Sequence, residues 1–158
     1  MTPKTVVEGA SRRMHHVVPN GGPCISYTGQ LMHVKLSATE SAGELTVIEN
    51  VIDAGSGPPL HVHTKENESY FVLEGQFELV CGDKTVRGGP GTFVHSPRGI
   101  PHRYQNIGST PGRVLISFTP AGIEGFFEEM GNQKELTPQI MMEISKKYGI
   151  TVMPPPAR

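Results

Sequence analysis

His61-x-His63 and, five residues on, Glu68 are side chains whose types and spacing can hold a metal ion. A strand sends residues i and i+2 to one face, so His61 and His63 can aim two imidazoles at a common point. Thr64 to Asn67 are polar and turn-compatible, and the strand expected after them, Glu68 to Leu73, puts Glu68, Tyr70 and Val72 on one face. Glu68 can then join the two histidines, and a fourth donor has to come from elsewhere. His102 opens the short strand His-Arg-Tyr-Gln-Asn after the turn Pro97-Arg98-Gly99-Ile100-Pro101, where glycine and proline set a sharp change of direction. Glu66 is the rival carboxylate, three residues from His63; the apolar pattern favours Glu68 and leaves Glu66 to solvent.

The two segments read Gly55-x5-His61-x-His63-x4-Glu68-x6-Gly75 and Gly91-x5-Pro97-x-Gly99-x2-His102-x3-Asn106. They resemble the two sequence motifs of the cupin superfamily at every defining position. The resemblance implies an all-β fold, a jelly-roll β-barrel of two packed antiparallel sheets. It also implies that His61, His63, Glu68 and His102 are the ligands of one metal ion per chain. The stretch Gly57-Pro-Pro-Leu-His-Val-His, with Tyr-Phe-Val-Leu-Glu-Gly after it, is similar to single-domain cupins of the quercetin 2,3-dioxygenase kind.

Three neutral imidazoles and one carboxylate suit a divalent transition metal, Fe, Mn, Ni, Co, Cu or Zn, and the sequence does not choose among them. Such a site leaves coordination positions open to an oxygen-bearing small molecule. By resemblance, the reaction is insertion of O2 into a flavonol, enol or diketone chelated to the metal, with Glu68 both ligand and catalytic proton acceptor. A non-redox isomerase or lyase, and a non-catalytic sensor or storage module, are the competing readings of the same residues. Tyr70 and Tyr104 are candidate substrate-pocket residues, although plain barrel packing accounts for both. His15, His16, His33 and His95 have no second donor at a convincing offset and are read as surface or hydrogen-bonded histidines.

The elements that must position these groups are short strands punctuated by glycine and proline. Candidates are Val17-Val18, Cys24 to Tyr27, Leu31 to Leu36, Glu44 to Ile52, Thr92 to His95 and Arg113 to Thr119, with one more near Val86. Glu74-Gly75 resembles a two-residue hairpin turn, with Gln76 to Cys81 as the returning strand. After Pro120 the period changes: Ile123, Phe126, Phe127 and Met130 recur at helical spacing, and Ile140, Met141, Ile144 and Tyr148 form a second stripe. Thr137-Pro138 reads as an N-cap with proline at the first helical position, and Gly149 as the stop. Phe126, Phe127, Met141 and Met142 are expected to dock these helices on the sheet, at a place where they could also cover the barrel mouth. Pro154 to Pro156 is expected to be extended. The division expected is an arm over 1–30, the barrel over 31–120 and a helical extension over 121–158.

The 158 residues carry 14 Lys plus Arg against 15 Asp plus Glu, with no basic run, so the electrostatic footprint of a nucleic-acid binder is missing. No apolar stretch approaches the roughly 20 residues of a membrane span, and the expected setting is a cytoplasmic protein with a small-molecule ligand. The two cysteines form no CxxC and are expected to pack as reduced, small apolar residues. A homodimer is expected through the barrel edge and the arm.

Overall fold

The structure is a computed structural model, and it describes residues 14–154. Eleven strands and two helices follow one another as β1 (Cys24–Tyr27), β2 (Gln30–Leu36), β3 (Thr46–Ile52), β4 (His61–His63), β5 (Asn67–Glu74), β6 (Phe77–Cys81), β7 (Lys84–Gly88), β8 (Phe93–Ser96), β9 (His102–Asn106), β10 (Gly112–Thr119), α1 (Glu124–Gly131), α2 (Pro138–Lys147) and β11 (Ile150–Val152). They form two antiparallel sheets, ordered β1-β2-β3-β10-β5-β8 and β11-β4-β9-β6-β7. Alternation decides which side chains meet between them: on β5, Glu68, Tyr70 and Val72 are buried, whereas Phe71 between them is exposed. Met32, Ile48, Val72, Leu79, Val114, Ile116 and Phe118 fill the space between the sheets. This is the jelly-roll arrangement that the resemblance to cupins implied.

Gly75 does not close a hairpin. β5 pairs with β10 and β8, while β6 pairs with β9 and β7, so the chain crosses from one sheet to the other between Glu74 and Phe77. Gly75 holds φ at +91°, and a Cβ there would stand 3.0 Å from the Gly112 Cα, so the corner needs a residue with neither side chain nor steric penalty. The expected strand at Val17-Val18 is irregular chain. Cys24 is exposed and Cys81 half-buried, so the first is not the packed apolar residue expected.

Two pieces outside the span expected for the barrel are built into its sheets. β1 pairs with β2 across Thr28-Gly29, with Tyr27 opposite Gln30. β11 pairs with β4, with Ile150 opposite His63 and Val152 opposite His61. Both helices lie where the apolar stripes predicted them. α2 begins as the sequence suggests, with the Thr137 hydroxyl accepting from the Ile140 amide at 3.2 Å and Pro138 at the first helical position. α1 is anchored by the buried Glu124 carboxylate, which accepts from the Ala38 amide at 2.6 Å and the Thr46 hydroxyl at 2.5 Å. Pro155 and Pro156, expected to be extended, lie outside the described residues.

Candidate metal centre

Four buried donors converge between the two sheets. β4 and β9, held together by the register pair His61 and His102, supply three imidazoles from one sheet, and β5 supplies Glu68 from the other. One nitrogen from each of the three histidines and one oxygen from Glu68 all lie within 4.8 Å of one another.

Each imidazole is held by its Nδ1. That of His61 lies 2.8 Å from the Pro59 carbonyl, that of His102 lies 2.8 Å from the Ile100 carbonyl, and that of His63 lies 3.3 Å from Glu66 Oε2. All three partners accept, so in its neutral form each imidazole keeps its proton on Nδ1 and turns the Nε2 lone pair toward the centre. The three Nε2 atoms face one oxygen, Oε2 of Glu68, at 2.8 Å for His102, 3.3 Å for His63 and 4.0 Å for His61. Lone pairs facing a carboxylate repel unless positive charge lies between them. A buried carboxylate left without a cation costs on the order of several kcal/mol. Protons or a metal ion must supply that charge, and the donor set fits a borderline divalent metal.

The proton affinities carry the same strain. Burial alone pushes the Glu68 carboxyl up, but the hydrogen bonds with His102 and His63 outweigh it and hold the group well below the usual carboxylate range. Burial opposes charge on His63, yet Glu66 and Glu68 together raise its pKa from 6.5 to about 9. His61 has no such pair of carboxylates, and burial takes it down to about 4. Glu66 is therefore not a solvent-facing residue, as its place in a polar turn suggested: it is buried and orients His63.

The centre opens on a cavity of about 900 Å³. His61, His63 and Glu68 form one part of its wall, and Phe126, Phe127, Met130, Met141 and Met142 from the two helices form an apolar part. Tyr104 lies on this wall, its hydroxyl donating to Gln30 Oε1 at 3.0 Å and accepting from the Asn50 amide at 2.9 Å. Tyr70, the other candidate pocket residue, is not on the wall. It is buried behind the centre, its ring 5.2 Å from that of Tyr104 and its hydroxyl without a hydrogen-bond partner among the described residues. Burial, and next the Glu68 charge, push the Tyr70 phenol well above its usual value. Tyr27, Gln30 and β11 also line the cavity, and only the β-branched run Ile150-Thr151-Val152 gave a sequence signal for β11. The remaining histidines stand apart: His95 bonds the Ser69 hydroxyl at 2.8 Å, His15 lies 2.9 Å from the Lys35 carbonyl, and His33 is on the opposite face of β2 from Met32 and Val34.

Residues 49–118 match the family model of the cupin domain. Together with the two-sheet fold and the three-histidine, one-glutamate cluster, that match identifies residues 49–118 as a cupin domain. The quercetin 2,3-dioxygenase of Bacillus subtilis (strain 168) is 26% identical over 109 residues, which are 68% of this chain and 32% of that one. The similarity thus spans about a third of the Bacillus protein. An uncharacterized protein of Methanocaldococcus jannaschii is 26% identical over 99 residues, 62% of this chain and 79% of that one. The structure of KdgF from Halomonas sp. matches in fold with a TM-score of 0.64 at 16% identity, over 72% of this chain and 99% of that one. No helix among the described residues is long and apolar enough to cross a membrane.

Proposed function

We propose that this cupin is a metal-dependent dioxygenase of the quercetin 2,3-dioxygenase kind, inserting O2 into a small flavonol, enol or diketone. The observation that carries the reading is a buried three-histidine, one-glutamate donor set opening on a cavity of about 900 Å³ with a largely apolar cover. That volume is within the range of about 300–1,000 Å³ usual for small-molecule sites. The 26% identity to the Bacillus quercetin 2,3-dioxygenase supports the same class.

His61, His63, Glu68 and His102 would hold one divalent transition metal, which would bind a substrate oxygen, lower its hydroxyl pKa and carry the reaction with O2. Glu68 is the catalytic residue in this scheme. Its Oε2 faces the three imidazoles, which leaves Oε1 as the oxygen that would take the substrate's hydroxyl proton. Phe126, Phe127 and Met141 form the apolar wall that would keep water from the substrate's rings. Tyr104 orients without moving a proton, because burial pushes its phenol up and its hydroxyl is committed to Gln30 and Asn50. The same reading includes a homodimer in the cytoplasm; sedimentation at monomer mass alone would remove the dimer.

Oxygen uptake tests the proposal. Protein stripped of metal and reloaded separately with Fe, Mn, Co, Ni or Cu is offered quercetin, with Glu68→Ala as control. Uptake that requires both metal and Glu68 is the expected result. Confirmed loading with no uptake for any metal would remove the dioxygenase and leave a non-redox enzyme or a binding module.

A further inference from the structure

The cavity holds a second set of polar groups that the metal centre does not use. Tyr27 and Gln30 flank the β1–β2 turn as a register pair, so their side chains leave the hairpin on one face, and both line the cavity. The Gln30 amide is fixed in orientation. Its Oε1 accepts from the Asn50 amide at 2.7 Å and from the Tyr104 hydroxyl at 3.0 Å, which turns the Nε2 donors away from both. Among the described residues Nε2 then has no partner, and neither does the Tyr27 hydroxyl. Neither atom is among the sealed, unpartnered polar atoms of the interior, so both reach open space, which for residues on this wall is the cavity.

We propose that Tyr27 and Gln30 are a recognition pair for a neutral oxygen at the far end of a cavity ligand whose near end is chelated at the metal centre. This rests on the dioxygenase reading and narrows its substrate class to ring systems with a hydroxyl or carbonyl remote from the chelating group. The order along the wall sets the geometry. His102 and Tyr104 lie two residues apart on one face of β9, about 7 Å, and Gln30 lies beyond the Tyr104 hydroxyl. The charge balance selects the ligand. Among the described residues Lys146 is the one lysine or arginine on the cavity wall and is exposed in the last turn of α2, so the inner end they form offers amide and phenol donors and no cation for a carboxylate or phosphate. Unmet donors at this end reject a ligand that lacks the matching oxygen.

Two flavonols that share the chelating 3-hydroxyl and 4-carbonyl test the pair: quercetin, with four further hydroxyls, and 3-hydroxyflavone, with none. Binding to zinc-loaded protein is followed by the ligand's own absorbance and fluorescence, alongside metal content and melting temperature. Tyr27→Phe removes one hydroxyl. Gln30→Glu keeps the acceptor for Asn50 and Tyr104 and removes the donors. Each is expected to weaken quercetin about tenfold, the worth of one hydrogen bond, and to leave 3-hydroxyflavone and metal content unchanged. Equal losses on both flavonols, or no loss with Tyr27→Phe, would overturn the recognition pair. Selective loss without oxygen uptake by the iron- or copper-loaded protein would support the pair and sink the dioxygenase. Uptake with an unaffected double variant would do the reverse, and wild-type protein that binds neither flavonol would sink both.

Discussion

His63 stands between two carboxylates, its Nδ1 3.3 Å from Glu66 Oε2 and its Nε2 3.3 Å from Glu68 Oε2. The outer carboxylate fixes the tautomer and strengthens the imidazole as a donor, whereas its counterparts on His61 and His102 are backbone carbonyls. Glu66→Ala should therefore lower metal affinity about 10–100-fold with the fold retained, the usual cost of removing such a partner. Glu66→Gln, which can still accept through its amide oxygen, should lose less. Chelator competition measures both, and unchanged affinity in Glu66→Ala would separate Glu66 from the centre.

The metal-free protein should be most stable near pH 6.5. The folded pKa of His63 is about 9 against an unfolded value of 6.5, so its contribution is complete below 6.5 and is lost as pH rises toward 9. The folded pKa of His61 is about 4, so the unfolded chain takes up a proton that the folded one refuses, and stability falls from pH 6.5 toward 4. Glu68 adds to the acid side, its contribution present above 4.5 and lost as pH falls further. A bound metal replaces the His63 proton and should remove the alkaline loss. Melting temperatures across pH with and without zinc show this. A flat metal-free profile from pH 6.5 to 9 would contradict the assigned environment of His63.

Much of this arrangement is readable from the sequence because it depends on local periods. His61 and His63 share a face because they are two apart on a strand, and Glu68, Tyr70 and Val72 repeat the same rule on β5. The turn before His102 is written in glycine and proline. Glu66 escapes the same reading because its burial comes from folding the Thr64–Asn67 turn back over His63, a three-dimensional event in a segment of polar composition. The Gly75 corner has the local chemistry of a hairpin, and only the pairing of β5 with β10 and of β6 with β9 distinguishes a change of sheet from a return. Tyr27 and Gln30 carry no chemical motif; their placement follows from the register of β1 with β2 and from a cavity that the helices complete.

Alanine at His61, His63 or His102 should abolish metal retention after gel filtration, because each removal leaves a buried carboxylate facing fewer donors. His33→Ala should retain it, since His33 faces away from the space between the sheets and its Nδ1 has no hydrogen-bond partner among the described residues. Metal content equal in all four variants would contradict the site.

Gly149 joins the helical cover to the ligand strand. Its φ is +74°, its carbonyl accepts from the Thr64 amide and hydroxyl, both at 2.9 Å, and β11, which starts at the next residue, pairs with His61 to His63. A Cβ at this position would lie 2.5 Å from the Thr64 hydroxyl oxygen. Gly149→Val therefore meets both a disfavoured backbone conformation, about 1–3 kcal/mol, and a steric clash that pushes β11 off the edge of β4. Since β4 presents two of the four donors, the variant should melt lower and also release metal faster than wild type in chelator chase. Faster release at matched stability, compared with a core variant such as Val114→Ala, identifies β11 as a brace for the centre. Equal release rates in the two variants would reduce β11 to a general contribution to folding.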